Sequence, residues 1–177
     1  MGVEMRAIEV LRGQPRLAAL AAAVLLIAIA VPIVAYVAVP ALVKSTIVED
    51  LPRSAAGPAA TAAAGATAPE VDTLLRGELR RISLADYGSG VVRLVRVGTD
   101  RFVRFENVDI AGAPDMYVYL SDRSDGTIGN FVDLGKLKAT NGSFNYPIPA
   151  SVDLAMVRSV VIWCRQFNVT VTFALVS

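Results

Sequence analysis

The sequence predicts an all-β domain, an antiparallel β-sandwich of Greek-key or jelly-roll-like connectivity, preceded by a single N-terminal transmembrane helix. Three observations predict this arrangement. Residues 17–43 contain no charged side chain, residues 168–173 alternate polar and apolar side chains, and turn signals separate short β-rich runs after Glu70. A period of two is the signature of a half-buried strand. Many short strands favour a sandwich, with an open barrel as the second choice.

The uncharged segment, residues 17–43, is predicted to be a transmembrane signal anchor. It consists mainly of Ala, Val, Leu and Ile, and a helix needs roughly 20 apolar residues to cross the hydrocarbon. Within the bilayer the backbone must satisfy its own hydrogen bonds, which selects a helix. Pro32 is expected to kink this helix, and Pro40 to mark its end. A cleaved signal peptide is the alternative, although its apolar core usually has only about 7–15 residues.

Basic residues around this segment predict its orientation. Arg6, Arg12 and Arg16 precede it, whereas Lys44 and Arg53 follow it. Because the excess of Lys and Arg lies on the cytoplasmic side, residues 1–16 are expected in the cytoplasm. The remainder is then extracytoplasmic, on a protein that passes once through the plasma (cell) membrane.

Residues 44–70 are predicted to be an Ala-, Pro- and Gly-rich linker. The stretch from Ser54 to Pro69 has few large apolar side chains and is interrupted by Gly and Pro. Such a segment cannot bury enough surface to offset its chain entropy. We expect a flexible tether that lets the distal domain, residues 71–177, stand away from the membrane.

The distal domain is predicted to contain seven strands and one brief helix. The helix is expected at residues 151–157, with Ser151 as its N-cap. Gly98-Thr99-Asp100 is typical of a short hairpin loop. The predicted strands are residues 78–84, 90–97, 101–108, 116–121, 143–148, 159–167 and 168–175.

Composition excludes several classes of function. The formal net charge is +1, so no basic field favours nucleic-acid binding, and no nucleic-acid partner is predicted. The chain has no histidine. This absence rules out a Ser-His-Asp triad, a Cys-His pair and imidazole-based metal sites in this chain.

The single cysteine, Cys164, is the candidate catalytic residue, as a redox thiol. A lone thiol can close no intrachain disulfide and forms no Cys-x-x-Cys pair. Strict alternation places Cys164 on the same face as Val160 and Ile162 and opposite to Trp163, which favours burial and low reactivity. Arg165 is expected on the other face, away from the thiol. The alternative to a reactive thiol is therefore a small apolar core residue.

Several short motifs follow one another in the distal domain: Gly88-Ser-Gly90, Ala113-Pro-Asp115, Tyr117-Val-Tyr-Leu-Ser121, Asp133-Leu-Gly-Lys-Leu-Lys138, Asn141-Gly-Ser-Phe-Asn-Tyr-Pro-Ile-Pro149 and Val160-Val-Ile-Trp-Cys-Arg-Gln-Phe167. Through these motifs the distal domain resembles the DM-thirteen domain, also called the electron-transfer DM domain, over residues 71–177. The resemblance implies an extracytoplasmic β-domain, often beside haem-binding DOMON domains in animal proteins. It also implies a near-invariant cysteine, here Cys164, proposed for redox work as a bare thiol or as the ligand of a prosthetic group. Family members commonly carry a histidine where Tyr87 stands here, so a mechanism that needs imidazole beside the thiol cannot operate.

No cofactor and no metal site is predicted. Covalent c-type haem attachment needs Cys-x-x-Cys-His, which is missing. Haem ligated by Cys164, with Met116 or a tyrosine opposite, is the cofactor alternative. Residues 121–126 depart from an EF-hand loop because Arg123 stands at its third position. They are interpreted as a solvated turn, with Asp122 and Asp125 as a weaker candidate ion site.

Other polar and aromatic residues have structural interpretations that compete with functional ones. Tyr117, Tyr119, Tyr146 and Trp163 could line a groove, although aromatic residues at strand spacing more often form the core or cross-strand pairs. Asp115 could act as an acid, but after a proline it is typical of a turn. Asn141 and Asn168 each begin a glycosylation triplet.

Two hypotheses about function remain open at this point. In the first, the protein is a membrane-anchored redox or electron-transfer accessory that uses Cys164 with an extracytoplasmic redox partner. In the second, it is a non-enzymatic cell-surface or envelope module that binds a surface protein or glycan, with Cys164 in the core. Enzymatic activity is not required by the sequence.

Overall fold

The computed structural model describes residues 15–51 and 71–177. The chain divides into two compact units, Met1–Val39 and Pro40–Ser177. The predicted cytoplasmic segment, apart from its last two residues, lies outside the described residues. The same holds for residues 52–70, the larger part of the predicted linker.

Helix α1 spans Pro15–Leu42, so its last three residues belong to the second unit. Its segment Ala19–Tyr36 is long and apolar enough to cross a membrane, a property that a membrane anchor and an N-terminal signal sequence share. Proline at the first helical position is favourable, because the N–H that it lacks would have no partner there. The helix continues through Pro32 and Pro40, so the end predicted at Pro40 comes two residues too early.

The second unit is a sandwich of two sheets, as the sequence predicts. The strands are β1 (Thr46–Val48), β2 (Val71–Glu78), β3 (Gly88–Val97), β4 (Asp100–Ile110), β5 (Met116–Ser121), β6 (Phe131–Lys136), β7 (Asn141–Ile148), β8 (Ser159–Cys164) and β9 (Val169–Leu175). The first sheet has the strand order β1-β7-β4-β3-β2, and the second has the order β6-β5-β8-β9. The pairing of β1 with β7 is parallel, and the other neighbours in the two sheets are antiparallel.

The core lies between the sheets and is built from the apolar faces of both. Phe105 and Phe144 stack with ring centroids 5.0 Å apart, and the Tyr146 ring meets the Phe105 ring edge-on at 5.9 Å. In the second sheet, Val160 and Ile162 are fully buried and point inward. Their inward direction follows from the alternation read in the sequence.

Strands β1, β2 and β6 were not predicted, and β1 and β6 each have a local reason. Strand β1 lies in residues 44–51, which the prediction assigned to the linker. Its three residues are too few for a periodic pattern, but its pairing with β7 makes this part of the chain a component of the domain. Strand β6 contains Asp133 and Gly135, residue types that are depleted in strands.

The first predicted strand, residues 78–84, is also wrong. Strand β2 ends at Glu78, and the chain turns shortly afterwards. The Ser83 hydroxyl accepts hydrogen bonds from the N–H groups of Ala85 and Asp86, a side-chain turn that competes with strand pairing. The predicted helix at 151–157 shrinks to one 3-10 turn, Leu154–Met156, and Asp153 rather than Ser151 caps it.

One end of the sandwich, here called the basal end, consists of the connections 79–87, 111–115, 137–140 and 165–168. Backbone hydrogen bonds join them: the Ala111 N–H donates to the Tyr87 carbonyl, and the Arg165 N–H donates to the Asp115 carbonyl. Ser45 lies at the same end, because its carbonyl accepts from the N–H groups of Thr140 and Asn141. The chain therefore enters the domain at the basal end.

Candidate functional site

Cys164 is a free, fully buried thiol at the basal end. It is the last residue of β8 and belongs to the core cluster with Val160 and Ile162, as the alternation predicts. Its register partners are Met116 and Val169, which are the first residues of β5 and β9. The thiol thus lies at the edge of the core, where three strands end.

The thiol is hydrogen-bonded to the connection 111–115. The Cys164 Sγ donates a hydrogen bond of 2.9 Å to the carbonyl oxygen of Pro114, which is itself buried. The next residue, Asp115, has φ of 58°, a left-handed conformation that non-glycine residues adopt infrequently. Its carbonyl accepts from the Arg165 N–H at 3.1 Å. The Cys164 thiol and the N–H of the next residue, Arg165, are therefore both hydrogen-bonded to the connection 111–115.

Arg165 lies on the opposite face of the second sheet, as predicted. Its guanidinium carbon is 3.4 Å from the centre of the Tyr117 ring, and its Nε donates to the Tyr119 hydroxyl at 2.7 Å. The same guanidinium forms an ion pair with Asp133 on β6. Arg165 consequently organises an aromatic surface and not the thiol.

The aromatic groove suggested by the sequence is not assembled as one site. Tyr117 and Trp163 lie opposite each other in register on the second sheet, and the Tyr119 ring packs 4.3 Å from that of Phe131. Tyr146 belongs to the core cluster, with Phe105 and Phe144. Tyr119 is also buried, at 2% exposed, and Tyr117 and Trp163 form a cross-strand pair, so the structural interpretation holds for these residues as well as for Tyr146.

Tyr87, at the position where the family pattern leads one to expect histidine, belongs to a charged cluster. Its hydroxyl accepts from the Lys44 Nζ at 3.1 Å, and the Arg81 guanidinium carbon lies 4.8 Å from the centre of its ring. Lys44 also forms an ion pair with Asp109. Sequence analysis missed this cluster because Lys44 was assigned to the linker.

The candidate ion-binding and acidic residues act as turn caps. The Asp122 carboxylate accepts from the N–H and the side-chain amide of Asn130, and the Asp125 carboxylate accepts from the N–H and hydroxyl of Thr127. Asp115 forms an ion pair of 3.5 Å with Lys136. Within residues 15–51 and 71–177, no cluster of three or more acidic, cysteine or histidine side chains is placed to hold a metal ion.

The connection after β5 is solvated at Arg123, Ser124 and Asp125, as interpreted from the sequence, while its backbone bonds to the second sheet. The Gly126 carbonyl accepts from the Thr170 hydroxyl at 2.7 Å, and the Arg123 carbonyl accepts from the Ser159 hydroxyl at 2.7 Å. Gly126 is buried against the ring of Phe173. The backbone of this segment is therefore bonded to β8 through Ser159 and to β9 through Thr170.

Comparison with known protein families assigns the sandwich domain to a family. Residues 80–176 match the model of the family described as Electron transfer DM13, which is more than half of the chain. The chain belongs to the DM-thirteen family. The DM-thirteen match includes β3–β9 and the cysteine-bearing strand, and it does not include α1, β1 or β2. No curated protein and no solved structure matches the chain.

Proposed function

We propose that this protein is a membrane-anchored, extracytoplasmic DM-thirteen module with a redox role, in which Cys164 exchanges disulfides with a partner protein. The family supports a redox-related role. The observation that carries the assignment to Cys164 is its position: the sole cysteine lies where three strands end, at the edge of the core and bonded to the connection 111–115. Redox exchange needs access to the sulfur, and we propose that local opening of the connection 111–115 provides it.

The exchange that we propose is a thiol–disulfide step. The Cys164 thiol loses its proton to solvent, and the thiolate attacks one sulfur of a partner disulfide. A bond forms between Sγ and that sulfur, the partner S–S bond breaks, and the second partner sulfur leaves as a thiolate that takes a proton from solvent. A third thiol, supplied by the same partner or by another protein, then attacks the partner sulfur of the mixed disulfide, forms a new disulfide with it and releases Cys164 as a thiolate. The net result is exchange of the partner disulfide, and the third thiol must come from outside this chain because Cys164 is its only cysteine.

The packing around Cys164 does not support haem ligation. The sulfur has no exposed surface and already donates to the Pro114 carbonyl. Met116 lies beside Cys164 on the neighbouring strand and not across a cleft from it. We therefore include no cofactor in the proposal.

Disulfide exchange with glutathione disulfide tests the proposal. The wild-type chain should form one mixed disulfide under native conditions, detected by mass, whereas Cys164→Ala should form none. The matched control is Cys164→Ala/Val118→Cys, because Val118 is also fully buried but lies in the middle of β5. Cys164 should react several-fold faster than the control thiol. Equal rates would mean that Cys164 is no more reactive than another buried thiol, and would refute the proposed redox role.

The second candidate function is a non-enzymatic surface module with a structural cysteine. The specific observation in its favour is the complete burial and hydrogen bonding of Cys164 in the resting fold, since buried structural thiols are inert. Equal exchange rates at Cys164 and at the control position would support this candidate.

The anchor and its orientation form a separate part of the proposal. We propose that α1 is retained and crosses the plasma membrane once, with its amino terminus in the cytoplasm; its apolar length supports this, as does the excess of arginines before it. Protease added outside intact cells should remove the sandwich domain and leave a short membrane-bound fragment. Full protection until the cells are lysed would contradict the orientation.

A further inference from the structure

The end of the sandwich opposite the basal end contains an open cavity of about 660 Å³. This end, here called the apical end, consists of the connections 98–99, 122–130 and 149–158. The cavity is lined by the β3–β4 hairpin loop on one side and by the 3-10 turn Leu154–Met156 on the other. Its volume lies within the range of about 300–1,000 Å³ that is typical of small-molecule sites.

The inner wall of the cavity is apolar and continuous with the core. Leu75 and Leu154 line the cavity and also pack against the core cluster. Leu74 lines it as well, although neighbouring residues of a regular strand point to opposite faces. The register of β2 shifts between Thr73 and Leu75, and such a shift redirects side chains. An apolar group that enters the cavity therefore meets leucine side chains.

Two arginines, Arg96 and Arg101, line the same cavity. They lie directly opposite each other in the register of β3 and β4. Each is two residues away from a core residue, Leu94 or Val103, so both side chains leave the inner face of the first sheet. Like charges in directly opposite positions destabilise a pair of strands. This arrangement is favourable only where negative charge lies close by.

The described part of the chain supplies only one of the two negative charges that the arginines require. Arg96 forms an ion pair of 3.0 Å with Asp72. Arg101 donates to the carbonyl groups of Pro149 and Ala150, at 3.0 and 2.9 Å. Within residues 15–51 and 71–177, Arg101 is not among the residues that form ion pairs. Its guanidinium is thus held in place by neutral acceptors, and its charge is left for an external anion.

We infer that the apical cavity binds an aliphatic carboxylate, with the hydrocarbon chain on Leu75 and Leu154 and the carboxylate group between Arg96 and Arg101. The two arginines and Asp72 leave one positive charge, which matches a monoanion. The planar guanidinium group has the geometry that pairs with a carboxylate. Cys164 lies at the basal end, so this inference is independent of the proposed redox role.

Photo-cross-linking of the full-length chain in nanodiscs tests the inference. The probe is decanoic acid that carries a diazirine on its chain, and the matched neutral probe is the corresponding decanol. Mass spectrometry of peptides locates the attached probe. Because both probes also enter lipid and can label α1, labelling at 74–75 and 154–155 is expressed relative to labelling of α1. The acid should label these positions several-fold more than the alcohol does, and excess unlabelled decanoate should compete.

The variant Arg96→Gln/Arg101→Gln should lose the preference for the acid. Its matched control is Arg80→Gln/Arg81→Gln, which removes two exposed arginines at the basal end and should keep the preference. A preference that persists in the first variant would contradict the assignment to Arg96 and Arg101. Equal labelling by acid and alcohol in the wild type, or acid labelling confined to α1, would overturn the inference without relying on any substitution.

Discussion

At the scale of single residues, the hydrogen bond from Cys164 to Pro114 changes what is expected of substitutions at the cysteine. In an apolar site a serine hydroxyl is normally costly, but here it finds an acceptor. Cys164→Ala instead leaves the buried Pro114 carbonyl without its thiol donor. We expect both variants to lower the free energy of unfolding by about 1–2 kcal/mol, and urea denaturation measures it. A serine variant much less stable than the alanine variant would contradict the role of this hydrogen bond.

Tyr146 is the residue for which the structure predicts a pH dependence. Its hydroxyl accepts from the Lys138 N–H at 2.7 Å and donates to the Lys136 carbonyl at 3.0 Å. Burial raises the pKa of Tyr146 above its usual value, against the lowering effect of the Lys138 N–H. An unfolded tyrosine titrates near 10, so above that pH the unfolded state binds fewer protons than the folded state and stability falls.

Tyr146→Phe should therefore cost about 1–3 kcal/mol at pH 7, because two backbone groups lose their partner. The difference between the wild type and the variant should shrink as the pH rises above about 10. Chemical denaturation of both proteins between pH 7 and pH 11 measures it. A difference that stays constant across this range would show that the raised pKa does not contribute.

At the scale of elements, Glu49 fixes β1 to β7. Its carboxylate accepts from the Lys138 Nζ at 2.8 Å and from the Asn145 N–H at 2.9 Å. Burial opposes ionisation of Glu49, but these hydrogen bonds outweigh it and hold its pKa below the usual value. A lowered pKa contributes stability that is present above the unfolded-state pKa and is lost as the pH falls through the folded-state value.

Glu49→Ala should release β1 while the rest of the sandwich stays folded. Amide exchange in Thr46–Val48 should speed up at neutral pH, and in the wild type the same amides should lose protection below about pH 4. Asp50→Ala is the matched control, because Asp50 contributes its backbone carbonyl, not its carboxylate, to Asn145. Equal exchange in the two variants would mean that the carboxylate of Glu49 does not hold β1.

Gly126 positions the connection that covers the second sheet. Its φ is +85°, and a Cβ there would lie 2.7 Å from atoms of the Phe173 ring. Gly135→Ala is the matched control, since Gly135 has φ of +105° with open space around it. Overpacking adds about 1–3 kcal/mol to the backbone strain, so Gly126→Ala should be the less stable variant in thermal unfolding. Equal melting would mean that the connection does not pack on Phe173.

The elements that could be predicted from the sequence are those with a side-chain period. Alternation in β8 predicted the buried face of Cys164 and the opposite direction of Arg165, and both are confirmed. Strand β6 was missed, and with it the ion pair between Arg165 and Asp133. The Pro114 carbonyl could not be predicted either, because side-chain periodicity does not report where the backbone of a connection lies.

At the scale of the whole molecule, the domain is larger than its family match. The match begins at residue 80, yet the sandwich begins at Ser45 and includes β1 and β2. Residues 44–51 were interpreted from composition as the start of a tether. They instead contain β1 and Glu49, whose carboxylate binds Lys138 and Asn145. A fragment that starts at residue 71 would leave the edge of β7 unpaired. Because exposed strand edges promote aggregation, we expect this fragment to be less soluble than the complete domain.

The central claim is that Cys164 reacts through local opening of the connection 111–115. It is tested most directly by the rate at which a maleimide labels Cys164 in the full-length chain as denaturant is raised. Local opening exposes little surface, so the rate should depend weakly on denaturant at low concentrations and steeply only near the unfolding transition. A rate as steep throughout as global unfolding would contradict the claim, since the thiol would then react only in the unfolded chain.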